Sequence, residues 1–441
     1  MVKERQIDCD LLIIGSGLSG MCAAYFAAAN GLSTVQVSKH TTLGFHSGLL
    51  DIAEVASQAA TKSWNSPLSA VREIIKHSAD HPYSKVAKND LMDSLSQIIG
   101  FLKQEGLDYS GSTDQNLQVL TSMGTLKKSC FVPSTMQACV DAYVSKKPSL
   151  IIDIKGLRGF SSRQIVETIK EKWPTLTSAR IEFPGFEGYS EVSAEHMAWA
   201  LENEKNLMAL IETIKPHLNG AAYVGLPAIL GILKTGKILK IMVEKLGVPV
   251  FEIPSMPPSI PGLRLKEAFE RGLQRLGVLR FHRQLIETIE RAKDGVFHTG
   301  WDKDTGSVRI RSKGVILATG RFLGKGLIFN NGEVKESLFN LPVAHLEQKQ
   351  NPYRIRFFNP QGHEINRVGI ETDCGFRPLN KNLKPVFNNL FSIGIINAHQ
   401  DWAREKSGSG IAVSSAYQAV QTFIDDLAQA GLCQPKARLS S

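Results

Sequence analysis

A short apolar run, Asp8-Cys-Asp-Leu-Leu-Ile-Ile14, opens the chain as a predicted buried strand. Glycines at 15, 17 and 20 follow it. Met21–Asn30 is alanine-rich and helix-prone, Gly31 sits where that helix would stop, and Leu32–Ser38 is a second apolar strand. Strand, tight turn, helix and strand within so short a stretch make a βαβ unit, whose right-handed crossover sets the strands parallel. Helical periodicity dominates from Leu68 to His282, at Lys88–Gln104, Ser162–Lys172, His196–Ile214 and Leu265–Leu276. The proline-rich stretch Ile253–Pro261 cannot continue a helix and is expected to run extended. Then the period changes. Gly295–Gly300, Ser307–Lys313 and Gly314–Ala318 predict three short strands, with turn chemistry at Asp302–Gly306. Asn389–Ile395 predicts a final strand, and Gly408–Gln429 a long closing helix.

The glycine spacing in Gly15-Ser16-Gly17-Leu18-Ser19-Gly20 has a mechanical basis. One glycine permits the tight turn, one lets the backbone approach a phosphate, and one lets helix and strand pack closely. The helix N-terminus then offers N–H groups and its dipole to the anion. An acidic residue at the end of the second strand would bind an adenosine ribose, but that strand ends Val37-Ser38-Lys39-His40. Three readings stay open: a ribose held otherwise, as in FAD or NAD; an NADP-type site with Lys39 and His40; or FMN, which ends at a single phosphate.

The rest of the chain favours a flavin. Its pieces, residues 1–67, 283–330 and 385–441, would form a discontinuous flavin-binding domain. Residues 68–282 would be an inserted substrate or partner domain, and 331–384 a loop-rich connection. The expected class is α/β: a Rossmann-like three-layer FAD/NAD(P)-binding fold, central parallel sheet plus β-meander, with a large inserted, mainly helical α+β domain. Besides the glycine loop with Ser38 and Lys39, the candidate cofactor contacts are Ser47 and Gly48, Thr319 and Gly320 in Ala-Thr-Gly, Gly394, and Ser409 and Gly410 at the start of the closing helix. The positive end of that helix would suit a reduced, anionic ring.

Composition narrows the function classes. The 441 residues are 43% hydrophobic and 21% charged, ordinary for a globular protein. A net charge of +9 is spread without long like-charge runs, so no nucleic-acid arm is indicated. It fits a generally basic surface, an anionic substrate, an acidic partner or an anionic membrane surface. Six cysteines form no C-x-x-C pair, which argues against a disulfide scaffold or cysteine-ligated cluster and for reduced thiols in a cytosolic protein. Lys3-Glu4-Arg5 before an apolar stretch imitates a signal peptide, but Asp8, Asp10 and the glycines oppose that. No transmembrane helix is expected.

Side-chain chemistry is sparse. No Ser-His-Asp order and no metal-spaced cluster stands out. His46, Arg264 and Arg377 are the weak catalytic candidates. A lone histidine is more often structural than catalytic, and arginines in Pro/Gly loops serve structural ion pairs more often than anionic ligands.

Taken in order, the segments resemble the B subunit of the anaerobic glycerol-3-phosphate dehydrogenase. They are Leu12–Gly20, Phe45–Asp51, His81-Pro-Tyr-Ser84, Gly124–Leu126, Gly156–Phe160, Leu226-Pro-Ala228, Met256–Leu265, Leu317-Ala-Thr-Gly320, Gly369–Pro378 and Asn389–Gly394. The resemblance implies an FMN-type flavoprotein subunit of a quinone-linked oxidoreductase in anaerobic respiration. Its FAD-containing catalytic partner would oxidise sn-glycerol 3-phosphate to dihydroxyacetone phosphate. A second partner, carrying iron–sulfur clusters and a membrane anchor, would attach the complex to the cytoplasmic face of the inner membrane and pass electrons to the quinone pool. This chain would be a cytoplasmic relay between them. Two departures stand out: His46 replaces a frequent serine, and Ala398–Lys406 is poorer in glycine than the family pattern. A self-sufficient FAD enzyme of the fumarate-reductase type and a flavin-free assembly protein are the competing readings.

Overall fold

The computed structural model describes residues 4–55, 63–303, 306–330, 333–344, 353–357, 359 and 362–429. Lys3, Cys433 and the turn residues Asp304 and Thr305 lie outside the described residues. A large sheet organises the N- and C-terminal parts. Its order is Leu279–His282, Thr34–Ser38, Glu4–Ile14, Gly306–Leu317, Phe297–Lys303, Ile289–Arg291, with Leu390–Ser392 also on Gly306–Leu317. The first four strands and Leu390–Ser392 run parallel, and the two others form an antiparallel meander. Ile14 pairs with Val37 on one side and Leu317 on the other, and Leu317 pairs with Ser392. Three loops, after Ile14, Leu317 and Ser392, therefore leave one edge together. That carboxyl edge is where open parallel sheets bind ligands.

Two expectations along this sheet are corrected. The segments 307–313 and 314–318 are not two strands but one, Gly306–Leu317. Gly314 does not break it, because the Phe423 ring packs where a Cβ would stand. The meander's remaining strand comes earlier, at Ile289–Arg291. The final strand shrinks to Leu390–Ser392, since the positive φ of Gly394 turns the chain into a 3-10 turn, Gly394–Ile396.

The first helix, Leu18–Ala29, begins directly after the glycine loop. It is apolar nearly all round because it lies between the sheet and the closing helix, Gly408–Gln429. Alanines 23, 24 and 27 allow the close approach, and Phe26 meets Tyr417 edge-on at 5.3 Å. Lys88–Gln104 and Ile260–Arg275 share this core through Phe101 and Phe269. The latter helix starts five residues before the predicted Leu265. Ser259 caps it by accepting from Gly262 N–H, and Pro261 sits in its first turn, so the extended stretch stops at Ser259. The predicted helix His196–Ile214 is two, Ala194–Ala200 and Glu204–Ile214, because the Asn203 side chain caps the second. Ser162–Lys172 ends at Ile169.

The middle segment also holds a second parallel sheet, which helical periodicity did not reveal. Its order is Val250–Ile253, Tyr223–Pro227, Ser149–Ile154, Leu176–Ile181, around its own core. Arg264 lies between this sheet and the first core. Its guanidinium pairs with buried Glu252 at 2.5 and 2.8 Å, and its Nε donates to Gly231 O. Burial opposes the Glu252 charge, but Arg264 outweighs it and holds the carboxyl below the usual range. The pair's contribution is therefore present above about pH 4.3 and fades on acidification. Among the described residues, no helix is long and apolar enough to cross a membrane. Arg264→Ala leaves the Glu252 charge buried and unpaired; urea unfolding is expected to show a loss of about 3–5 kcal/mol at neutral pH.

Candidate functional site

At the sheet's carboxyl edge, backbone contact shapes a cradle. Gly15 has φ +120°, and a Cβ there would stand 2.2 Å from Ala318 O. A Cβ at Gly20 would stand 2.2 Å from Gly15 O. Gly17 caps the first helix with extended backbone and no side-chain hydrogen bond, and no acidic residue lies in the first turn. The N–H groups of that turn thus face neither a capping side chain nor a carboxylate. Ser16 is buried and donates to His40 O at 3.3 Å, while Thr41 donates to Ser16 O at 2.8 Å. Gly394 abuts Ser19 Oγ, and Thr319 Oγ1 is buried without a hydrogen-bond partner beside Gly320. So Gly15–Gly20, Thr319, Gly320 and Gly394 come together. The glycine cradle, the uncapped helix and the orphaned hydroxyl fit a phosphate and its linker. Ser38 is buried at the strand end, whereas Lys39 and His40 are exposed.

Two further groups hold this edge, and sequence patterns did not single them out. Gln36 is buried; its Nε2 donates to Gly15 O at 3.1 Å and its Oε1 accepts from Arg280 at 2.8 Å. Arg321 follows Gly320 and donates to the carbonyls of Asn366, Ile395, Asn397 and Gln400. Burial lowers its pKa to about 10, against the pull of Asp401 and Glu405, so it stays charged.

The second half of the site is built from the turn Phe45–Asp51 and the start of the closing helix. Gly410 N–H donates to Asp51 O at 2.7 Å. Ser409 Oγ lies 3.4 Å from His46 Nε2. Gly48 N–H donates to His46 Nδ1 at 3.1 Å, so the imidazole proton sits on Nε2. Burial, then the charge of Lys127, pushes the His46 pKa down to about 4, against the opposite pull of Asp51. His46 is therefore a neutral donor rather than a base. Gly48 O accepts from Tyr109 at 2.8 Å, and the half-buried Ser47 continues the turn.

The His81-Pro-Tyr-Ser84 segment buttresses this half. Tyr83 donates to Ile52 O at 2.5 Å, and Tyr83 N–H donates to His81 Nδ1, leaving His81 Nε2 to donate to Glu405 at 3.2 Å. Burial opposes the Glu405 charge, and His81, Asp401 N–H and Ser407 together outweigh it, so the carboxyl is held low. The glycine-poor Ala398–Lys406 thus carries a polar network beside the site. Arg264 and Arg377 do not serve as anion holders. Arg264 is spent on Glu252, and Arg377 bridges Asp373 at 3.2 Å and Asp426 at 2.6 Å on the closing helix. No cluster of three or more metal-ligating side chains exists among the described residues.

The model of the FAD binding domain family matches residues 10–411, nearly the whole chain. The chain belongs to this family. Its curated relatives include two proteins named as the B subunit of anaerobic glycerol-3-phosphate dehydrogenase. The one from Vibrio vulnificus (strain CMCP6) is 27% identical over 428 residues, covering 94% of this chain and 96% of its own. The one from Pectobacterium atrosepticum is 27% identical over 426 residues, covering 95% and 99%. Among solved structures, 3-ketosteroid delta1-dehydrogenase from Sterolibacterium denitrificans aligns at TM-score 0.42 and 11% identity, over 95% of this chain and 100% of that one. A quinol fumarate reductase from E. coli aligns at TM-score 0.40 and 12% identity, over 98% and 72%. Family membership supports flavin binding by this chain. Because the folded chain keeps His46 neutral, histidine NMR is expected to find this ring uncharged at pH 5.5, where an ordinary imidazole of pKa about 6.5 is mostly charged. The unfolded chain then binds the extra proton, so this residue costs stability as pH falls from about 6.5 towards 4.

Proposed function

We propose that this chain is the flavoprotein B subunit of a quinone-linked anaerobic sn-glycerol-3-phosphate dehydrogenase. It receives electrons from a FAD-containing catalytic partner, which oxidises glycerol 3-phosphate to dihydroxyacetone phosphate. It passes them towards an iron–sulfur partner, which holds the complex at the cytoplasmic face of the inner membrane. The observation that carries this reading is the glycine cradle, within a match to relatives of that name along almost the full chain. Two features support a relay. With the flavin ring placed against the Phe45–Asp51 turn, the ionisable groups packed round this ring-side turn pair with one another, and His46 is placed as a donor and not as a base.

FMN is the proposed flavin. The second strand ends in Ser38 and exposed Lys39, with no carboxylate to hold an adenosine ribose. The second reading is FAD in a self-sufficient reductase or dehydrogenase, which the FAD-binding family itself favours. When bound, either flavin can supply both two-electron chemistry and the one-electron chemistry that transfer to iron–sulfur clusters requires, and the chain's own groups would bind the phosphate, exclude water and fix the local charge.

The purified protein is expected to be yellow and to release stoichiometric FMN on denaturation. Stoichiometric FAD would overturn the FMN assignment, and reduction of the isolated chain's flavin by glycerol 3-phosphate would overturn the relay. Gly17→Asp is expected to abolish flavin retention. A Cβ there already stands 3.1 Å from Thr42 Oγ1, and a carboxylate would repel the phosphate.

A further inference from the structure

The ring-side turn carries a charge pair that joins distant parts of the chain. Lys127 stands in a hairpin, Leu117–Leu120 with Leu126–Ser129, inside the inserted segment. Its Nζ lies 2.8 Å from Asp51 Oδ2. Asp51 is buried, and its other oxygen, Oδ1, has no hydrogen-bond partner. The Lys127 side chain keeps 27% of its surface, so it is neither fully buried nor free in solvent. The contact is not a chance meeting of two mobile side chains. Leu50 and Phe131 exchange backbone hydrogen bonds at 3.0 and 3.2 Å, and Cys130 Sγ reaches Leu50 O at 2.9 Å. On its other side, Asp51 O accepts from Gly410 N–H in the first turn of the closing helix. The inserted segment therefore sets a cation against the turn that meets the helix start, where Ser409 approaches His46.

We propose that Lys127 sets the charge of the ring-side pocket, its ammonium favouring negative charge on a flavin bound against the Phe45–Asp51 turn, with Asp51 holding and partly offsetting it. This rests on the flavin reading above. Two electrons and one proton convert the oxidised ring to a reduced ring with a negative charge at its N1–C2=O edge. A cation near that edge stabilises the charged form, while a nearby carboxylate opposes it. Lys127 likewise disfavours the charged form of the neighbouring His46 imidazole, after burial, which is the larger cause.

Sulfite reports this charge without turnover. Its sulfur lone pair forms one S–N bond at flavin N5, the displaced ring pair settles at N1–C2=O, and no group leaves. The adduct is anionic, and loss of the visible flavin band measures its Kd. At fixed pH, Lys127→Met is expected to weaken sulfite binding by about 10-fold or more, and Asp51→Asn to tighten it by a similar factor. Lys127→Arg should stay within about threefold of the parent. The opposite signs are the test, because loosening the turn would move Lys127→Met and Asp51→Asn the same way. Both variants weakening sulfite binding, or neither moving it, would overturn the proposal. Should Lys127→Met lose its flavin, Asp51→Asn decides alone, since a freed ammonium must tighten the adduct. A parent chain that takes up no flavin overturns the underlying reading, and the proposal with it. Flavin uptake with unmoved sulfite affinity overturns the proposal only.

Discussion

Three stretches of backbone meet where Gly15 presses on the carbonyl of Ala318 and Gly20 presses on the carbonyl of Gly15. No side chain fits at either point. Because the chain can come this close, the first helix starts immediately beyond the sheet edge and aims its N-terminus across it. The same contact locks Glu4–Ile14 to Gly306–Leu317, residues far apart in sequence, so the loop after each strand ends in one place. Gly394 then closes on Ser19 from the third loop. The proposed phosphate site is a consequence of packing, with the helix dipole and unclaimed N–H groups supplying the attraction.

Charged groups around that contact are spent on structure. Arg321 turns its guanidinium onto main-chain carbonyls, and Asp401 and Glu405 compensate it nearby. His81 and Glu405 tie the Pro82–Lys85 turn to the short Trp402–Glu405 helix that precedes the closing helix. Arg264 joins the second sheet to the first core through Glu252. Such buried pairs add modest net stability but make removal of one partner costly, so they fix the relative positions of the segments they join. The result is a frame whose segments are held in fixed relation around the cradle.

Much of the frame was legible along the chain. The glycine spacing, the alanine-rich first helix and the Gly408–Gln429 helix all declare themselves through local chemistry, and they lie where that chemistry puts them. Asn203 and Ser259 are visible caps whose consequences, a split helix and an early start, follow once they are weighed against apolar periodicity. The second parallel sheet was not legible. Strands buried on both faces, such as Ser149–Ile154, are short apolar runs without alternation and merge with the helical pattern around them. Nor could sequence pair Asp51 with Lys127, or Gln36 with Gly15, since those contacts depend on a sheet register that no local signal encodes. The arginines show the same limit: a structural ion pair is the favoured reading of Arg264 and Arg377 from sequence, but no local signal names Glu252 or Asp426 as the partners.

The cradle formed by Gly15, Gly17, Gly20 and Ala318 is proposed to hold the flavin phosphate. A crystal structure of the protein purified with its own cofactor tests this most directly. The expected result is phosphate density at the N-terminus of the Leu18–Ala29 helix, within hydrogen-bond reach of its first N–H groups, with the ring towards the Phe45–Asp51 turn. Flavin density elsewhere in the chain, or an ordered cradle closed on itself with no cofactor in protein that folds and assembles, would contradict it.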